Sequence, residues 1–463
     1  MHFKYLKGDE LMQKIAFFKL AATVLILSVF IISLTSCTTE KPNRPFNQIV
    51  AYTPGTIKPS ASQSDLDKSV TSFYEKWKVH YLRVVPGSKP LQMYLHFNPE
   101  AADWVEPKNT VCRSEGQGYG MITVALMAGY DREAKKIFDA MFRFVKAHPS
   151  SINTNLMAWQ QVLLPDGRIV TSENGQEETP SDSATDGDLD IAYALLLADT
   201  QWGSKGEINY SEEALKILHA TLESVVNLDE NILLLGDWVK AKQQEDKTGL
   251  YIITTRSSDF LLGHLKAFAN YDLENKDRWL AIHHKMQEII MDQYKKWSPK
   301  TGLIADFLIK NKDTGKYKPA KGYLLEDDYD GDYNWNACRI PWRYPIDYLV
   351  NGDTSILEQL SVLNSWIKKA TDSNPLNIKP GYFISTGLEG QAIPDRNWQD
   401  MSFIAPFAVA AMIDKSNQEW LDAIWRLMTE NENFSFENGY YFDNCIRMQV
   451  MLILTGHWWQ PGR

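Results

Sequence analysis

From Ser64 onward apolar residues recur with a period near 3.6 over long segments, and runs alternating apolar and polar residues are almost absent. The pattern predicts about twelve helices, over residues 63–79, 116–129, 132–146, 186–201, 210–225, 256–271, 277–295, 339–350, 354–370, 400–413, 416–428 and 440–455. A short link follows each even-numbered helix and a longer loop usually follows each odd one, the spacing that helical hairpins produce. The even-numbered helices also begin with unusual chemistry: Glu115, Asp186, Ser257-Ser258-Asp259, Asn336 with Arg339, Asp400, and Tyr440-Tyr441. If those six form an inner ring, all run in one direction and their N-termini open on one end. The expected fold is therefore all-α, an (α/α)6 barrel of six hairpins, with a cleft across the end that carries the long loops.

Two of these helix starts carry the chemistry. Glu115 lies in Ser-Glu-Gly-Gln-Gly-Tyr-Gly-Met (114–121) and Asp186 in Ala-Thr-Asp-Gly-Asp-Leu-Asp (184–190), each just ahead of an apolar run. An isolated acid in a first turn ordinarily caps the helix or complements its dipole. Gly116, Gly118 and Gly120 weaken that reading, because each glycine in a helix is disfavoured by roughly 0.5–1 kcal/mol relative to alanine, so close approach of a ligand or another helix must select them. Two carboxyl groups meeting across a sugar are the minimum equipment for glycoside hydrolysis.

A chain of 463 residues, 44% hydrophobic, buries a large core, and a formal charge of −10 argues against a nucleic-acid partner. The 15 Trp and 21 Tyr suit a protein that stacks sugar rings, although most must be core. Lys14 and Lys19 precede an apolar stretch, Leu20 to Leu34, that is short for a membrane span and ends in Leu34-Thr35-Ser36-Cys37. Residues 1–36 therefore read as a signal peptide, with Met12 as an alternative start. Small residues before Cys37 look like a bacterial lipoprotein signal, with Cys37 as the lipidated first residue. Residues 37–60, rich in Thr, Pro, Asn and Ser, read as a tether from the lipid, and 61–463 as the barrel. Cys112, Cys338 and Cys445 suit buried free thiols, and no Cys or His spacing resembles a zinc site.

The segment from Ala184 to Trp202 resembles the signature of glycoside hydrolase family 8, inverting enzymes on an (α/α)6 barrel. Ser-Glu-Gly-Gln-Gly-Tyr-Gly-Met resembles the segment bearing that family's general acid, and Asn336-Ala337-Cys338-Arg339-Ile340-Pro341-Trp342-Arg343 resembles its third marker. The resemblance implies that Glu115 donates the proton to the glycosidic oxygen and that Asp186 holds the sugar on the non-reducing side of the cut. Asp190 reads as a structural acceptor. Many members resemble one another in an Asp, the catalytic base, where this chain has Asn336. A subgroup including chitosanases and broad β-glucanases has Asn there and supplies a Glu from an inserted loop. In this chain that resemblance points to Glu326, with Asp327, Asp328, Asp330 and Asp332 as rivals and a solvated acidic loop as the bland alternative.

Trp159, Trp238, Trp335, Tyr440 and Tyr441 fall in loops or helix starts of the same end and are candidate sugar platforms, Trp159 and Tyr441 foremost. Arg339 and Asn336 are candidate substrate contacts, and Arg339 alternatively orients Glu326. The resulting expectation is a monomeric, membrane-anchored, endo-acting β-1,4-glycanase needing no metal or organic cofactor. Cellulose, mixed-linkage β-glucan, chitosan and xylan remain open as substrates. Two rival classes are a glycan-binding lipoprotein that kept the barrel without a base, favoured by Asn336, and a polysaccharide lyase, against which the paired acids argue.

Overall fold

The computed structural model describes residues 41–102, 105, 107–172, 181–385 and 387–462. The expected signal peptide and Cys37 lie outside them. Contacts divide the chain into Met1–Lys41 and Pro42–Arg463, and the second unit holds all secondary structure among the described residues.

Six helical hairpins build that unit. The outer helices are α1 (Gln63–Tyr81), α3 (Ala134–Ala147), α5 (Tyr210–Ser224), α7 (Lys276–Trp297), α10 (Leu357–Ala370) and α13 (Gln418–Glu430). The inner ones are α2 (Ser114–Leu126), α4 (Thr185–Trp202), α6 (Leu262–Tyr271), the pair α8 (Ile340–Arg343) and α9 (Pro345–Asn351), the pair α11 (Met401–Ile404) and α12 (Pro406–Ala411), and α14 (Tyr441–Leu454). Two expected continuous inner helices are thus broken, since Pro345 and Pro406 have no N–H to give the preceding turn.

Burial separates the two rings as the patterning requires. Outer helices bury one stripe, as α13 does with Trp420, Leu421, Ile424, Trp425, Leu427 and Met428. Inner helices are buried all round: in α2 every residue except Glu115, and in α4 every residue from Thr185 to Ala198. The ring closes through contacts of α2 with α4, α4 with α6, α6 with α9, α8 with α12, α12 with α14, and α14 back to α2. Gln449 of α14 seals the last junction by donating to Tyr119 O (2.8 Å) and Thr123 Oγ1 (2.7 Å) of α2.

Among the described residues, ten strands of two to four residues, all in small antiparallel sheets, were not legible in the patterning, because such lengths hold too few alternations to register. Two of them bear on the site. Strand β3 (Thr110–Arg113) runs directly into α2, and β8 (Thr254–Arg256), paired with β9 (Phe307–Lys310), runs into the turn Ser257–Asp259 ahead of α6.

The opposite end is closed by a segment expected to be a tether. Backbone N–H groups of Asn43, Phe46, Val50, Thr53 and Ile57 donate, at 2.8–2.9 Å, to the carbonyls of Gln201, Ala128, Gly456, Leu349 and Met412. Those carbonyls belong to the C-terminal ends of α4, α2, α14, α9 and α12, where the carbonyls of the last turn have no N–H donor within the helix. Residues 42–60 therefore strap five inner helices together, and the compact unit begins at Pro42, where 61 was expected. Phe46, 6% exposed, stacks on His457 at 3.9 Å. Phe46→Ala should lower the free energy of unfolding by about 3 kcal/mol in a denaturant titration, the usual cost of deleting a buried aromatic. A residue in a solvated tether would show no change.

Candidate active site

Three glycines explain how the acid-bearing helix starts come together. A Cβ on Gly116 would stand 1.6 Å from Tyr441 Oη, one on Gly118 2.6 Å from Asp190 Cβ, and one on Gly187 2.2 Å from Ser114 Oγ. They are selected by contact of inner helices with one another, which brings the first turns of α2, α4 and α14 side by side.

Glu115 sits in the first turn of α2, half-buried, with Oε2 shielded and without a hydrogen-bond partner among the described residues. Burial and the neighbouring Asp186 charge raise its carboxyl above the ordinary glutamate range, against the opposing pull of Arg113 and Arg339. Asp186 goes the other way. Burial pushes its carboxyl up, but Arg256, Arg339 and Arg343 together outweigh that and hold it well below the usual range. Its Oδ2 accepts from Arg339 Nη1 at 2.5 Å, and Oδ1 lies 3.9 Å from Arg256 Nη2. One carboxyl is shifted toward its protonated form beside another shifted toward its charged form, the division that acid catalysis of glycoside cleavage needs.

Arg339 extends this pair to the third helix start. It donates to Ser258 Oγ (2.8 Å), Asn336 Oδ1 (2.7 Å) and Asn336 O (3.2 Å). With the Asn336 carbonyl so held, Nδ2 points the other way and donates to Glu326 Oε2 at 2.8 Å. Glu326 keeps solvent access while the surrounding walls raise its carboxyl, an effect moderated by Arg256 and by the Asn336 amide. Beneath lies Asp306, fully buried, accepting from the N–H groups of Asn334 (2.9 Å), Asn336 (2.9 Å) and Ala337 (2.7 Å). Burial and the nearby Glu326 charge push Asp306 up to about 8, although its backbone donors favour the ionised form.

Residues 103–456 match the sequence profile described as Glycosyl hydrolases family 8. The chain belongs to glycosyl hydrolase family 8. Similar proteins include a protein named Beta-glucanase from Niallia circulans, 38% identical over 443 residues that cover 96% of this chain and 98% of that one. Another is an Endoglucanase from Bacillus sp. (strain KSM-330), 37% identical over 91% of this chain and 83% of the relative. Among solved structures, the apo structure of a Beta-1,3-1,4-glucanase from Paenibacillus sp. X4 superposes with a TM-score of 0.77 at 38% identity, covering 90% of this chain and all of that one. This family 8 protein is thus a glycoside hydrolase on an (α/α)6 barrel.

Within the family 8 site, the acidic loop before Asn336 is ordered by its own carboxylates. Asp330, fully buried, accepts from the N–H groups of Leu325 (2.7 Å), Glu326 (3.1 Å) and Asp327 (3.0 Å). Asp327 accepts from Tyr329 N (2.7 Å) and Asn334 Nδ2 (3.1 Å), and Asp332 from Ile384 N (2.8 Å). Asp328 is exposed. Of the five acids, Glu326 is the one whose side chain is bonded to Asn336. Asp190 is held by His264 (3.1 Å) and Arg343 (2.8 Å) inside the ring, in a structural position.

The aromatics divide. Trp159, Trp238 and Trp335 are half-buried: the Arg113 guanidinium lies over the Trp159 ring at 4.5 Å, and Trp238 meets Tyr251 (5.1 Å) and Trp335 meets Phe403 (5.0 Å) edge to face. Tyr440 is 51% exposed. Tyr441, expected as a foremost platform, is instead 4% exposed, its ring edge-on to Phe97 at 5.0 Å. Its faces belong to the core because the same ring fills the notch that Gly116 leaves. Arg339, expected as a substrate contact or an orienter of Glu326, is 3% exposed and acts on Glu326 through Asn336.

Asp306, Arg256 and Arg113 were missed by sequence reasoning. Asp306 follows a turn in Leu-Ile-Ala-Asp-Phe, where nothing in the pattern marks it, whereas Arg113, two positions before Glu115, was there to be weighed. Cys112, Cys338 and Cys445 are buried and unpaired, as expected. His283, Asp347 and Asp353, on and just after α7 and α9, are spaced closely enough for a metal ion. The Lys266 ammonium (2.8 Å) and Gln287 amide (3.0 Å) already engage Asp353.

If Asp330 positions the loop, Asp330→Ala should lower kcat by about 10²-fold, the penalty of displacing a reacting group by an ångström. Asp328→Ala should stay within about twofold, as expected for an exposed side chain. Steady-state kinetics on a soluble glucan separates the two.

Proposed function

We propose that this enzyme is a monomeric, inverting, endo-acting β-glucanase that cuts β-1,4 bonds in glucan, mixed-linkage β-glucan foremost. Glu115 protonates the leaving oxygen, Glu326 takes the proton of the attacking water, and Asp186 bonds the sugar on the non-reducing side. The observation that carries this reading is the Asn336–Glu326 hydrogen bond: an amide cannot accept a proton from water, and here it orients a carboxylate that can. The non-catalytic alternative rested on Asn336 leaving no base, and Glu326 removes that ground. The glucan assignment draws on the names of the relatives at 37–38% identity. It replaces the wider range of substrates left open by the motifs.

The raised Glu115 stays protonated to higher pH than a free glutamate, so the alkaline limb of the rate profile should lie above the ordinary glutamate range. Glu115→Gln should cut turnover of mixed-linkage β-glucan by about 10²–10⁴-fold while polymer binding persists. Glu326→Ala should abolish hydrolysis, and added azide should restore turnover with a glycosyl azide of inverted configuration. Near wild-type turnover in either variant, or an azide product of retained configuration, rejects the assignment. A panel of glucan, xylan and chitosan, with products resolved by chain length, tests substrate and endo action together.

We further propose that Cys37 carries a lipid that anchors the enzyme to a bacterial membrane. The supports are Lys14, Lys19, the apolar run and Leu34-Thr35-Ser36-Cys37. Cys37→Ala should move the protein from the membrane fraction to the soluble one, and a wild-type protein recovered soluble with an unmodified N-terminus ends the idea.

A further inference from the structure

Three of the arginines around the site meet carboxylates. Arg339 and Arg256 flank Asp186, Arg256 also bonds Asp259 at 3.2 Å, and Arg343 bonds Asp190. Arg113 does not. Among the described residues no carboxylate comes within ion-pair distance of it, and its shielded Nε has no hydrogen-bond partner. What holds the guanidinium is a pair of aromatic faces, Phe97 at 4.0 Å and Trp159 at 4.5 Å. β3 delivers it to the mouth of α2, two residues before Glu115, and Glu115 and Glu326 both feel its charge.

A guanidinium without an ion-pair partner is a poor stabilising device, because a desolvated charge needs one in contact. It is a good discriminating one. Arg256 and Arg339 are committed to Asp186 and Asp259, whereas the positive charge of Arg113 stands beside Glu115 with no ion-pair partner of its own. An ammonium on a sugar beside the scissile bond would meet Arg113 in a partly desolvated cleft, where like charges repel strongly. A neutral hydroxyl at the same place meets only hydrogen-bond donors.

We propose that Arg113 is a specificity-determining residue that confines this cleft to uncharged glucan and turns away polymers bearing ammonium groups, such as the glucosamine chains of chitosan. This rests on the glucan reading above. The test is the ratio of kcat/KM on chitosan to kcat/KM on mixed-linkage β-glucan, measured at a pH where the polymer's amines are charged. Arg113→Gln should raise that ratio about tenfold or more, the scale of one like-charge contact in a partly buried site. Arg113→Lys, which keeps the charge, should hold the wild-type ratio. Added salt should shrink the gap between wild type and Arg113→Gln. Arg113→Met keeps the aliphatic stem between the two rings and serves if the Gln variant fails to fold. An unchanged ratio in the charge-removing variants overturns the proposal, as does an equal rise in Arg113→Lys, which would mark Arg113 as packing for Trp159. A wild type that prefers chitosan to glucan overturns this inference and the glucan reading together. One that prefers another neutral polymer overturns only the latter, and the ratio is then taken against that polymer.

Discussion

The working end of this enzyme depends on one buried carboxylate that its arginine neighbours hold toward the charged form. Asp186 lies between Arg339 and Arg256, and this clamp does two things at once. It keeps a negative charge beside Glu115, which favours the protonated acid, and it fixes the guanidinium that orients Asn336 and, through it, Glu326. Removing either partner of a buried pair leaves an uncompensated charge, typically worth 3–5 kcal/mol. The acid from α2, the charge from α4 and the loop carboxylate before α8 are therefore one electrostatic unit.

That unit needs the inner helices closer together than ordinary side chains allow. Gly116, Gly118 and Gly187 provide the approach, and the space beside Gly116 is filled by Tyr441 from the adjoining helix α14. A sequence reading that sees three glycines just after an acid cannot distinguish a ligand pressing on the backbone from a neighbouring helix doing so. Here it is the helix, and the same fact moves Tyr441 from the cleft into the core.

The outer helices were legible because burial on one stripe leaves a period that survives over many residues, and the inner ones because burial on all faces leaves long apolar runs, against which the acids at the starts of α2 and α4 stood out. What escaped was local or non-periodic. Strands of two to four residues leave no pattern, Pro345 and Pro406 break helices whose apolar spacing runs on, and Asp306 gains its importance only from three N–H groups 28 to 31 residues downstream. Residues 42–60 misled in the other direction. Their composition is that of a linker, yet their backbone N–H groups find acceptors that no side-chain pattern reveals.

That strap has a consequence for how the molecule is made. Its partners include the carbonyls of Leu349, Met412 and Gly456, and α1 packs against α14, so residues 42–60 reach their places only after the last hairpin exists. Contacts spanning most of the chain carry a large loop-closure entropy and slow the search for the native topology. The hairpins can form one by one as the chain emerges, but the ring stays open, with the apolar faces of its inner helices uncovered, until α14 arrives. A chain that leaves the ribosome N-terminus first cannot finish folding there, and the unfinished ring is the species most exposed to aggregation.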